Sequence, residues 1–368
     1  MELEQFTVTE EQQALRDSVR RFLEQRSPEA EVRRVMATDE GYDAALWRDL
    51  AALGVCGLAI PEEYGGSGAG WQETAVVVEE LGRALLPSPF FPSAVLSVAA
   101  LLAGDDGARK EWLPSIADGS TIATLAVAEE SGSWDLDAVA LAARRDGDAW
   151  RLDGVKSLVP FGRAAQLLLV AARAGDGLGL FAVAGDADGL SLSAQRPLDP
   201  TSRFARLELS GVTARRVGDE AAVRRALDVG AVLLGAEQVG GARRTLEIAS
   251  GYARTRTQFG RPIGGFQAVK HKCADMLLRT ESAASLAAYG AWVADRPGED
   301  LSTVAPTVKS FCSEASLFCA ATNIQVHGGI GFTWEHPAHL YFKRAKTSEL
   351  LFGSPSQHLL RLADALGV

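Results

Sequence analysis

The chain has 368 residues, 47% of them hydrophobic and 23% charged, with a formal net charge of −10. That length and balance describe a soluble globular protein with room for substantial cores, and the acidic charge excludes a nucleic-acid binder, which must neutralise phosphates with a basic face. The longest mainly apolar run, Ala94 to Ala103, is too short for a membrane span of about 20 residues, and the acidic start at Met1 lacks a secretory signature, so a cytoplasmic protein without a membrane span is expected.

Residues 1–120 read as helical. Thr9 followed by Gln12 is a capping-box pattern that satisfies orphan amides at a helix start, and Leu15, Val19, Phe22 and Leu23 then recur on one face. A second helix carries Leu46, Trp47, Leu50 and Leu53 and ends at Gly54; a third runs from about Trp71 to Leu86, after the break at Pro61–Gly66. Pro87, Pro89 and Pro92 stop it.

Residues 121–218 change texture. Apolar runs such as Thr121–Val127 and Gln166–Ala171 are too short for good helices, and Asp146-Gly147 between Ala138–Arg145 and Asp148–Leu152 reads as a hairpin turn. This is a small β-domain. Residues 219–368 return to a period of 3.6, with helices over roughly 219–255, 265–294 and 301–327 and one or two shorter ones after them. Breaks at Gly260–Gly265 and Pro297-Gly298 fold these into an antiparallel bundle. Cys312 and Cys319 share a helix face and are expected to be buried, and none of the four cysteines has disulfide or metal spacing.

Several stretches carry more than periodicity. Tyr252 to Met276, with Arg256-Thr257-Gln258-Phe259-Gly260 and Phe266-Gln267 inside it, resembles the acyl-CoA dehydrogenase signature, as do Pro61–Gly66, Gln325-Val326-His327-Gly328-Gly329 and Gly353-Ser354, in the family's order. The resemblance implies a mainly α fold with a β-domain: an N-terminal helical domain, a middle β-domain and a C-terminal four-helix bundle. It also implies FAD held at a subunit interface and α,β-desaturation of an acyl-CoA. By it, Arg256, Phe259, Gln267, Gln325, Gly328 and Gly329 bind the FAD of a neighbouring subunit. Read alone, Arg256 is a surface ion-pair residue. Gln325 is a surface residue, and Gly328-Gly329 is a plain helix stop with His327 complementing the helix end.

The chain departs from the family where the subunit's own site would be. The usual catalytic carboxylate position holds Phe352, and a second position used by some relatives falls near Gly230 or Ala231. Glu349, nearly one turn from Phe352 on roughly the same face, is a weak candidate base, and Asp228 reads as a polar-face acid. Ala128, Leu158 and Pro160 stand where the family places flavin-holding groups. The pattern implies a subunit that grips a partner's FAD within an α2β2 complex whose catalytic acyl-CoA dehydrogenase subunit carries the base. An electron-transfer flavoprotein is the implied acceptor. The segment Gly329–Ala345 resembles actinobacterial heteromeric dehydrogenases acting on steroid-CoA thioesters. The alternatives are a self-sufficient homo-oligomer using Glu349 or Asp228, and a flavin-free binding protein on the same fold.

Overall fold

The computed structural model describes residues 8–296 and 298–368. The acidic Met1–Glu4 start and Pro297, both used above, lie outside the described residues. The helices are α1 (Glu10–Arg26), α2 (Glu29–Met36), α3 (Ala44–Ala52), α4 (Trp71–Arg83), α5 (Val98–Leu102), α6 (Asp106–Ala117), α7 (Glu220–Thr255), α8 (Gln267–Ala294), α9 (Leu301–His327), α10 (Ala338–Leu350) and α11 (Pro355–Leu366). The strands are β1 (Ala123–Ala126), β2 (Ala142–Asp146), β3 (Ala149–Pro160), β4 (Leu167–Ala174), β5 (Gly177–Ala184), β6 (Leu190–Gln195), β7 (Phe204–Asp219) and the short pair β8 (Thr257–Gln258) and β9 (Arg261–Pro262). Helices on either side of a middle β-region match the expected architecture. Residues up to Arg33, Ala75–Leu86 and Ala231–Val368 form one compact unit; Arg34–Thr74 and Pro87–Gly230 form another.

In the first unit, α1 starts at the expected capping box. Thr9 Oγ1 accepts the Gln12 amide at 3.1 Å and Gln12 Oε1 accepts the Thr9 amide at 3.2 Å. Farther along α1, Arg20 grips the buried Glu80 of α4 through two bonds of 2.9 and 2.7 Å, so a carboxylate out of water keeps two donors. The bundle core is small and smooth: Ala242, Ala249 and Ala253 of α7 meet Met276 of α8 and Cys319 and Val326 of α9. Small side chains let long helices approach closely. The closest approach is between α4 and α7. A Cβ on Gly240 would lie 1.8 Å from the Glu79 carbonyl oxygen, and one on Gly82 would lie 2.2 Å from that of Glu237. Neither position tolerates a side chain.

In the second unit the strand pairings β4–β5, β5–β7, β7–β3, β3–β2 and β2–β4 close the sheet on itself, with β1 parallel to β4 and β6 along β7. The hairpin falls one residue later than expected. Asp146 pairs with Ala149, leaving Gly147-Asp148 as the loop, and Gly147 has φ 63°. The positive φ is needed at the first central position, where glycine enters it without steric cost. Two short helices, α2 and α6, lie within the stretch read as helical but were not drawn there as individual elements. Pro92 does not end helical structure; it sits in the first turn of a wide helical segment over Phe91–Ser97, where its missing N–H costs nothing.

Candidate functional site

The six outward residues gather at one end of the bundle. After α7 ends at Thr255, Arg256 leads into the β8–β9 hairpin, and the Ile263 amide returns to the Arg256 carbonyl at 2.8 Å. The two-residue loop is Phe259-Gly260, with φ 54° and 78°. Positive φ at both central residues is the type I′ geometry that matches strand twist. For a phenylalanine that backbone is strained, and its ring stands 91% exposed. Its aromatic neighbour among the described residues is the Phe266 ring, edge-on at 6.1 Å between centroids. The strained turn thus holds a bare aromatic ring outward, open to contact.

Gln267 opens α8, whose N-cap residue Phe266 gives no side-chain cap and whose first turn carries no acid. The unsatisfied amides there and the positive end of a 28-residue helix favour an anion. Gln325, in the last turn of α9, is tied to α8 by Lys272, whose Nζ donates to its Oε1 at 2.7 Å. An ammonium only donates, so the Gln325 amide nitrogen is left as a donor. Gly328 ends α9 with φ 63° and its amide bonds back to Gln325 and Ile324; Gly329 has nothing within 4 Å of a would-be Cβ. The Arg256 side chain is exposed and has no carboxylate partner among the described residues, so it is not the ion-pair residue of the plain reading. Arg256, Gln325, Lys272 and the α8 amides thus supply donors suited to a diphosphate, beside glycines that admit close backbone approach.

His327 departs from expectation. It is buried, stacks on Tyr252 at 4.3 Å and donates from Nδ1 to the Asn323 carbonyl at 2.8 Å. Burial holds its pKa below the ordinary imidazole value, so it is neutral rather than a cation at the helix end.

The residues at positions the resemblance assigns to the subunit's own site are each apolar or otherwise engaged. Phe352 is 6% exposed and has φ 64°, because α10 ends at Leu350 and the chain reverses before Gly353. Its carbonyl bonds to His358 Nε2 at 3.0 Å. The buried Lys309 holds the same segment, donating to the carbonyls of Glu349 at 2.9 Å and Gly353 at 3.2 Å and to Ser313 Oγ at 3.0 Å. Burial pushes the Lys309 amine down to about 7. Glu349 therefore shares no helical face with Phe352, contrary to the expected one-turn displacement. Its carboxylate pairs with Lys346 of its own helix. Asp228 is 5% exposed, so it is a buried residue and not a polar-face one.

In the β-region, Ala128 is buried and Pro160 accepts at its carbonyl from Thr124 Oγ1 at 2.6 Å. Leu158 has φ 53° and takes its amide partner from Gln195 Oε1 at 2.7 Å. Its Cδ1 lies 4.0 Å from where a Cβ on Gly132 would be, so the Leu158 side chain reaches the Glu130–Trp134 loop. Glu129 and Lys156, retained from the same two stretches, have a structural job instead. The buried Lys156 Nζ donates to Glu129 Oε1 at 2.9 Å and to the Val127 carbonyl at 2.8 Å. Burial pushes this lysine down to about 8, and the Glu129 bond opposes that shift. Lys272, Lys309, His336 and His358 were not singled out in the sequence. Lys272 lay inside the signature stretch, but nothing in one sequence shows that it reaches Gln325.

Two family models match the chain: "Acyl-CoA dehydrogenase, N-terminal domain" over residues 9–120 and "Acyl-CoA dehydrogenase, C-terminal domain" over residues 220–367. Acyl-CoA dehydrogenase IpdE2 of Mycobacterium tuberculosis is 38% identical, over 97% of this chain and 97% of its own length. Among solved structures, a variant of the Tcur3481–Tcur3483 steroid ACAD is 33% identical over 98% of this chain and 99% of its own, with a TM-score of 0.91. The ChsE4–ChsE5 complex from Mycobacterium tuberculosis is 31% identical over 98% of each chain, also with a TM-score of 0.91.

Proposed function

The chain belongs to the acyl-CoA dehydrogenase family, oxidoreductases acting on CH–CH bonds, and we propose that it is the flavin-gripping, non-catalytic subunit of a heteromeric member. One observation carries this reading. The outward set is exposed and donor-rich, whereas the base position is a buried phenylalanine with no proton acceptor in its side chain. Arg256, Phe259, Gln267, Gln325, Gly328 and Gly329 would hold the FAD of the neighbouring subunit, the guanidinium forking onto its diphosphate. When bound, FAD supplies the acceptor for the β-hydride of the acyl thioester. Removal of the α-proton needs a carboxylate within hydrogen-bonding reach, and this chain's own groups do not supply it. Phe352 has none, and Glu349 is engaged by Lys346. The base then belongs to the partner, a catalytic acyl-CoA dehydrogenase subunit in an α2β2 assembly.

Two of the structures most like this chain are named as paired proteins, one of them a steroid ACAD. This supports a bulky acyl-CoA substrate such as a steroid side-chain thioester. Electrons would leave through an electron-transfer flavoprotein. No helix among the described residues is long and apolar enough to cross a membrane. The test is Glu349→Gln in the assembled enzyme. Loss of a part-exposed ion pair should leave turnover within about twofold; a drop of about a hundredfold, the scale of a lost general base, would move catalysis to this chain.

A further inference from the structure

Behind the exposed glycine turn stands a column of rings. Tyr252 stacks on His327 at 4.3 Å between centroids, and His327 meets His336 at 4.2 Å. Farther along, His339 stands edge-on to Trp334 at 4.6 Å, and Lys343 Nζ lies 4.2 Å from the centre of the same indole. The Gly328–Phe332 turn is strung between His327 and His336. It folds back tightly on the first of them: a Cβ on Gly331 would lie 3.1 Å from His327 Cβ and 3.0 Å from the Ile324 carbonyl oxygen. The plane of His327 is fixed twice over, by the Tyr252 stack and by its Nδ1–H bond to Asn323.

We propose that His327 is a positioning residue for the Gly328–Phe332 turn, and that the imidazole column makes this turn's hold on a dinucleotide acid-labile. The proposal rests on the flavin-gripping reading of this end of the bundle. The groups facing the column decide the sign. His336 faces Glu29 and Arg33 of α2 as well as His327 and His339. His339 faces Lys343 of α10 together with the same Arg33 and Glu29, and His327 is bounded by Tyr252 and the Asn323 carbonyl. At His339 the cations Lys343 and Arg33 outnumber Glu29, at His336 Glu29 offsets Arg33, and at all three rings burial opposes an added proton. His339 Nε2 is buried with no partner among the described residues, so a proton there would have no acceptor. Burial is the largest cause depressing all three imidazoles. With folded pKa values below the unfolded value of 6.5, the column contributes fully above that value and loses its contribution as pH falls below it.

The experiment measures FAD release from the assembled complex across pH, for the natural chain and for His327→Phe with His336→Phe, which keep rings in the column but cannot take a proton. The natural complex should lose FAD about tenfold faster at about pH 5.5 than at about pH 7.5, as the imidazoles take up protons. The double variant should change by less than about twofold over the same range. A variant that keeps the natural slope overturns the proposal. Hydrogen exchange of the peptide covering residues 323–336 in the isolated chain, corrected for intrinsic pH dependence, is the second readout. Protection that falls with pH in the natural chain and stays flat in the variant is expected, and pH-independent protection in both overturns the acid-labile column. A complex that carries no FAD at any pH contradicts the flavin-gripping reading instead, and the exchange measurement still decides the column.

Discussion

Arg256→Ala in the assembled enzyme is expected to weaken FAD binding about a hundredfold, the scale of a lost bidentate, charge-assisted contact to phosphate. The side chain is exposed and has no carboxylate partner among the described residues. Its removal should therefore shift the stability of the isolated chain by no more than about 0.5 kcal/mol. Flavin loss and misfolding are thus separable: thermal unfolding of the chain stays put while FAD titration of the complex moves. Arg256→Lys should fall between, because a lysine keeps the charge but loses the planar fork. Equal FAD affinity in all three proteins would remove Arg256 from the site.

Gly240→Ala is expected to give the largest stability loss, about 3 kcal/mol or more, from overpacking against backbone that cannot move aside. The added methyl would lie 1.8 Å from the Glu79 carbonyl oxygen and 2.8 Å from the Arg83 amide nitrogen, and Gly82 makes the reciprocal approach to Glu237. No flexible side-chain end stands in the way to yield. The neighbouring Gly241 is the built-in control, since its Cβ would meet only a Tyr341 ring carbon at 3.9 Å. Gly241→Ala should be neutral or stabilising, because alanine is the better helix residue. Chemical denaturation of the two variants measures the difference, and equal midpoints would contradict the backbone-to-backbone crossing.

The long helices were legible because their apolar period persists over many turns and glycine or proline marks their ends. α7, expected over 219–255, spans Glu220–Thr255, and α9, expected over 301–327, spans Leu301–His327. Short elements escaped. α2 is eight residues rich in charge, and the β8–β9 hairpin is two residues a side, below the length at which alternation can be read. The outward site residues could be named from their motif, but the strain at Phe259 could not. Nothing in Phe259-Gly260 announces that the phenylalanine also takes a positive φ. The positions assigned to the subunit's own site were misread in two respects. Counting along an unbroken helix put Glu349 on the face of Phe352, whereas α10 stops at Leu350 and the backbone reverses. Asp228 reads as a polar-face acid from its residue type, although Leu227 and Val229 are its neighbours in the chain; packing buries it.

The number of flavins bound per protomer, with this chain purified alone and again after co-expression with its catalytic dehydrogenase subunit, bears most directly on the division of labour. Next to no flavin in the isolated chain, and about one FAD for each heterodimer as a single shared site requires, is the expected result. Stoichiometric flavin on the isolated chain, bleached by an acyl-CoA without any partner, would contradict it.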